Sequence, residues 1–237
     1  MMNYREYGNS RNGHRYVIVV HGGPGAPGSA AGLARPLGGA FSVYEPFQRR
    51  RDDRPLTVAT HVADLQQFIE QHCGGVRPAV VGHSWGAMLA LAHAAEHPQA
   101  VAGIALVGCG TFDTKARARF EQLREERSYS YDPVEPRKLD QPFDETGHRE
   151  SWADMLRCQA EGLYPAAFAA ITAPTIMLHG ECDPHPGQMI RDSLLPMLPR
   201  MEYREFACCG HEPWTEKQAR DAFFAVLLDW LGRQAGP

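Results

Sequence analysis

The chain has 237 residues, 43% hydrophobic and 22% charged, with a formal net charge of −4. That size suits one α/β domain around a single core, and the acidic balance offers no broad basic face for nucleic acid. No apolar run approaches the roughly 20 residues that span a bilayer, and residues 1–13 are polar, unlike a signal peptide, so a soluble, cytoplasmic protein with no membrane partner is expected.

Residues 15–20 (RYVIVV) read as a buried strand that runs into a Gly/Pro-rich loop at His21. Residues 41–45 form a second strand candidate, followed by the cluster Arg49-Arg50-Arg51, which reads as a solvated turn. A helix is expected over 57–72, with Val58, Val62, Leu65, Phe68 and Ile69 at helical spacing. A short strand at 78–81 leads straight into Gly82-His83-Ser84-Trp85-Gly86, then a helix over 85–97 and a strand over 101–107. Residues from about 111 to 170 break this rhythm: first strongly charged, then Pro-rich, then helical from about 149 to 161. They read as an inserted helical cap with Trp152, Leu156 and Leu163 as its apolar contacts. The sheet resumes with a strand at 174–179, a helix at 187–198, a strand at 201–206 and a helix at about 215–231. Alternating strands and helices predict a mostly parallel, twisted sheet with helices on both faces, joined by right-handed crossovers. The expected organisation is one domain over 1–237, with core segments 1–110 and 171–237 around a cap at about 111–170.

The pentapeptide at 82–86 fits G-x-S-x-G, in which a strand turns sharply into a helix and lifts a serine hydroxyl clear of the sheet. Glycines flank the serine because the chain closes up there. A serine hydroxyl is a poor nucleophile until a histidine takes its proton, and the histidine needs a carboxylate to hold its tautomer. Asp183 follows the strand at 174–179 within Gly180-Glu181-Cys182-Asp183-Pro184, at a strand end where ligand-facing residues of parallel sheets gather. Asp113 is the reserve candidate and Glu181 a weaker one. His211, in Cys209-Gly210-His211-Glu212-Pro213, follows the last strand and is the candidate base; His21 and His83 read as loop organisers. His21-Gly22-Gly23-Pro24-Gly25 can supply an oxyanion donor. Pro24 has no N–H, so Gly23 is the natural donor, partnered by the Trp85 N–H.

Six cysteines lie without a C-x-x-C pair. Cys182, Cys208 and Cys209 beside His211 match no common zinc spacing, so no metal and no cofactor are expected.

The motifs HGGPG, GHSWG, GECDP and CGHEPW, in that order, resemble the α/β-hydrolase superfamily across nearly the whole chain outside the cap. HGGPG and the Trp after the serine look most like the proline iminopeptidase (prolyl aminopeptidase) branch. That narrower resemblance implies a serine peptidase removing an N-terminal residue, with cap acids holding the free amine. Those enzymes usually carry an Asp-Gln-Arg-Gly stretch where this chain has Tyr44-Glu45-Pro46-Phe47-Gln48-Arg49, and a much larger cap. The expectation is therefore a serine hydrolase acting on a small ester or amide, a small molecule or short peptide, through Ser84, His211 and Asp183. Trp152 and Tyr164 are the candidate pocket walls. An aminopeptidase, or a non-catalytic binding protein on the same fold, are the alternatives, and no sequence feature reports an oligomeric state.

Overall fold

The computed structural model describes residues 2–8, 15–135 and 141–234; part of the opening polar stretch (1 and 9–13) and part of the expected cap (136–140) lie outside them. A seven-stranded sheet has the order β1-β3-β2-β4-β5-β6-β7. Its strands are β1 (Tyr4–Tyr7), β2 (Tyr16–Val20), β3 (Ser42–Pro46), β4 (Ala79–His83), β5 (Gly103–Val107), β6 (Thr175–Gly180) and β7 (Glu202–Phe206). Only β1 runs antiparallel, along the edge against β3.

Every residue of β4, β5 and β6 is buried, as expected where helices cover both faces of a parallel sheet. Period-two alternation sorts the side chains between two cores. Val17 and Val19 pack with Leu33, Phe223 and Trp230, beneath α1 (Ala31–Leu37) and α7 (Arg220–Gln234). Ile18 and Val20 pack with Val62, Phe68, Leu89 and Ile190, beneath α2 (Val58–His72), α3 (Trp85–Glu96) and α6 (Gly187–Leu194).

Two elements depart from the sequence reading by being present at all. Edge strand β1 lacks an apolar stripe and is held to β3 by a Tyr7 hydroxyl donating to buried Glu45 at 2.8 Å. Helix α1 is seven residues long and carries Pro36 in its last turn, which hides it from a helical pattern search.

Between β5 and β6 the chain forms α4 (Thr114–Glu126), α5 (Glu145–Ala160) and a 3₁₀ turn at Ala166–Ala170. Asp113 caps α4 by accepting the Lys115 and Ala116 N–H groups, both at 2.9 Å. Helix α5 starts four residues before its expected position because Asp144 caps it through the Gly147 N–H. The last helix starts later than expected, since residues 213–215 form a separate 3₁₀ turn. Leu163, expected to pack, is exposed. Among the described residues no helix is long and apolar enough to cross a membrane.

Candidate active site

Ser84 stands alone between the last residue of β4 and the first of α3, at φ 54° and ψ −118°. An L-residue there is strained, and such strain persists only where its surroundings enforce it. The enforcement is steric. A Cβ on Gly82 would lie 2.3 Å from the Gly86 carbonyl oxygen, and one on Gly86 would lie 2.2 Å from that of Val20. The Ser84 N–H donates to the Val107 carbonyl at 2.8 Å, which ties the turn to the neighbouring strand.

The loop after β2 lies against this turn, since a Cβ on Gly22 would come within 3.0 Å of Ser84 Cβ. Gly23, at φ +46°, lines the same cavity as Ser84. The Trp85 N–H opens α3 and belongs to the first-turn donors that have no carbonyl four residues behind them. Gln48 joins these pieces. Its side-chain oxygen accepts the Trp85 indole N–H at 2.8 Å, its side-chain nitrogen donates to the His21 carbonyl at 2.9 Å, and its main-chain N–H donates to His21 Nε2 at 3.1 Å. Burial pushes the His21 pKa down to about 4, so the neutral ring can accept that bond. Gln48 had no signal in the sequence beyond its place after β3.

His211 and Asp183 meet as the chain order suggested, with His211 Nδ1 2.7 Å from Asp183 Oδ2. Asp183 is 1% exposed and more heavily partnered than the sequence revealed. The His185 N–H and ring Nδ1 reach its Oδ1 at 2.9 and 3.0 Å, and His179 Nε2 lies 3.2 Å from its Oδ2. Burial works against the carboxylate, but His211, His179 and His185 outweigh it and hold the group well below the usual carboxylate range. Burial lowers both His179 and His185, against the pull of Asp183. His185 also stacks on His211, at 4.7 Å between ring centroids, and on Phe120 of α4 at 4.2 Å.

The loop that carries His211 is pinned by a buried carboxylate. Glu216 accepts the Tyr131 and Asp132 N–H groups at 2.7 Å and that of Gly210 at 3.1 Å, while the His211 N–H donates to the Tyr129 carbonyl at 2.7 Å. His83 faces the Trp214 edge and has Nε2 3.3 Å from the His211 carbonyl, in keeping with its reading as a loop organiser.

Ser84, His211, His185 and Gly23 open on one cavity of 660 Å³, whose far side is built from α4 and α5. Trp152 lines it; Tyr164 does not. Tyr164 is turned into the core and stacks on Phe168 at 5.1 Å, where its ring removes more apolar surface from water than an open wall would. The Ser84 hydroxyl has no hydrogen bond among the described residues; nucleophile–base contacts commonly tighten only when substrate is bound. Asp113 is spent as a helix cap, and Glu181 lies outside the cavity lining. Asp183, His185 and His211 bring ligand atoms within 4.8 Å of one another, but the hydrogen bonds already described account for that convergence. Among the described residues no cysteine joins that group.

A family model described as "Alpha/beta hydrolase family" matches residues 17–226. Solved structures share the architecture at low sequence identity. A putative lipase from Acinetobacter baumannii AYE superposes with TM-score 0.72 and 20% identity, over 98% of this chain and 89% of that one. For the Paleococcus ferrophilus monoacylglycerol lipase the values are 0.69 and 19%, over 99% of both chains. For a thermophilic esterase from Thermogutta terrifontis they are 0.74 and 17%, over 99% and 94%. No curated protein matches the chain in sequence.

Proposed function

The chain belongs to the alpha/beta hydrolase family, and from that premise we propose that it is a serine-dependent ester hydrolase working through an acyl-enzyme. The observation that carries the reading is the 2.7 Å His211–Asp183 pair opening on the same cavity as the strained Ser84. Ser84 Oγ attacks the ester carbonyl while His211 Nε2 takes its proton, and ionised Asp183 stabilises the imidazolium. The oxyanion is held by the Gly23 and Trp85 N–H groups, each contributing about 3 kcal/mol in comparable sites. His211 then returns the proton to the departing alcohol. Water, deprotonated by the same ring, releases the acid and restores Ser84.

Support for an ester rather than an amide comes from the likeness to structures of lipases and an esterase and from the charge of the cavity. An aminopeptidase needs an unpaired carboxylate for the free amine. Glu121 is the one acid among the described lining residues, and Arg124 bridges it at 3.0 Å.

Hydrolysis of p-nitrophenyl butyrate and proline p-nitroanilide by wild type and Ser84→Ala tests the reading. Ester cleavage that disappears in the variant is expected. Cleavage of the proline amide alone, lost on acetylation of its amine, would replace this reading with the aminopeptidase.

A further inference from the structure

The cavity that Ser84 opens on is also lined by a cation with no ion-pair partner among the described residues. Arg117, in the first turns of α4, is half-buried in the lining. Its Nη2 donates to the Gln159 side-chain oxygen at 2.7 Å, and the Gln159 amide donates to the Thr111 carbonyl at 3.0 Å. Both partners are neutral. Among the described residues no carboxylate comes within ion-pair distance of this guanidinium. Glu121, one turn along the helix, is taken by Arg124, and Asp113 accepts N–H groups of the first turn. Burial lowers the Arg117 pKa, against the Coulombic pull of Glu121 and Asp113.

A guanidinium has five N–H donors in a planar fork, so one bond to an amide leaves most of that capacity unspent. Partly burying such a charge costs free energy unless an anion compensates it. A carboxylate fits the fork with two parallel hydrogen bonds, whereas a point cation would fix it less well. The Gln159 contact holds the guanidinium in one orientation before any ligand arrives.

We propose that Arg117 is the subsite for an anionic group of the substrate, so that the preferred ester carries a carboxylate remote from the scissile bond. The proposal rests on the ester-hydrolase reading and names its substrate class. The competing role is a strut: Arg117 would then only brace α4 against α5 through Gln159, and its loss would affect charged and neutral esters alike.

Binding and turnover separate these roles. Calorimetric titration of Ser84→Ala with monomethyl glutarate and dimethyl glutarate compares an anion with its neutral counterpart where no hydrolysis can occur. At least tenfold tighter binding of the hemiester is expected, with the preference lost in Ser84→Ala/Arg117→Gln and partly kept in Ser84→Ala/Arg117→Lys. Equal binding of the two ligands by Ser84→Ala overturns the proposal, as does a preference that survives Arg117→Gln. In wild type, the ratio of kcat/KM for mono-p-nitrophenyl glutarate to that for p-nitrophenyl pentanoate should fall tenfold or more on Arg117→Gln, mainly through KM. An equal loss on both esters supports the strut and contradicts the proposal. Hemiester preference in binding with no turnover of either ester would instead sink the hydrolase reading and leave the anion site standing.

Discussion

The strand-end loops and the helical segment between β5 and β6 build one cavity by different means. In the loops the backbone decides. Gly82 and Gly86 have no room for a Cβ, and Ser84 takes a conformation that only this crowding sustains. In the helical segment side chains decide. Helix α5 is tied to the core by Asp154 accepting the Val58 N–H at 2.8 Å, Glu150 accepting the Leu56 N–H at 3.0 Å, and His61 with Ser151 at 2.8 Å. Steric crowding leaves few residue types for the loops, whereas polar ties leave the cavity-facing side chains of α4 and α5 free to vary. In the proposed hydrolase, bond-making and substrate choice would thereby rest on separate parts of the chain.

The largest effect should come from the loops. Asp183→Asn keeps the shape of the acid but removes the charge and disturbs the His211 tautomer, so kcat should fall on the order of 10⁴-fold while circular dichroism is preserved. A loss below tenfold would show that His211 does not depend on Asp183. Next comes a paired glycine test. Gly86→Ala drives a Cβ into the Val20 carbonyl and should cost about 3 kcal/mol or more, lowering Tm by roughly 6 °C or more in a chain of this size. Gly162, beyond α5 at φ +76°, has open space where its Cβ would go. Gly162→Ala should therefore cost only about 1 kcal/mol, from conformation alone. Equal Tm losses would erase the contrast between the regions.

These glycines also show what was legible beforehand. A turn with no room for a Cβ at its two flanking positions writes itself locally as G-x-S-x-G, and the order of Ser84, Asp183 and His211 along the sheet predicts which strand ends converge. Contacts made by the folded loops leave no such trace. His185, two residues beyond Asp183, shares the Asp183 carboxylate and stacks on His211. Gln48 and Glu216 act through hydrogen bonds to distant backbone, which no spacing rule encodes. Arg117 sits in a strongly charged run in which nothing sets it apart, and Tyr164 shows that an aromatic in a cap need not face the pocket. Strand β1 escaped notice because an edge strand needs no apolar stripe.

A smaller, pH-dependent effect lies where α5 meets the core at His61 and Ser151. Burial pushes the His61 pKa in α2 down to about 4. An unfolded histidine takes up its proton near pH 6.5, so between about 6.5 and 4 the unfolded state binds more protons. The stability contribution is then present above the unfolded pKa and is lost as pH falls toward the folded one. His61→Gln should remove on the order of 3 kcal/mol of that acid sensitivity at most. Urea unfolding at pH 7, 5.5 and 4.5 checks this through a shallower fall in stability; an unchanged fall would mean His61 protonates without cost.

Covalent labelling asks whether Ser84 is the activated nucleophile of this cavity. Wild type treated with an organophosphorus fluoride should gain one adduct by intact mass, mapped to the peptide containing Ser84, with labelling slowed at least 100-fold in His211→Ala and abolished in Ser84→Ala. An adduct on another residue, or undiminished labelling of Ser84→Ala, would contradict the account.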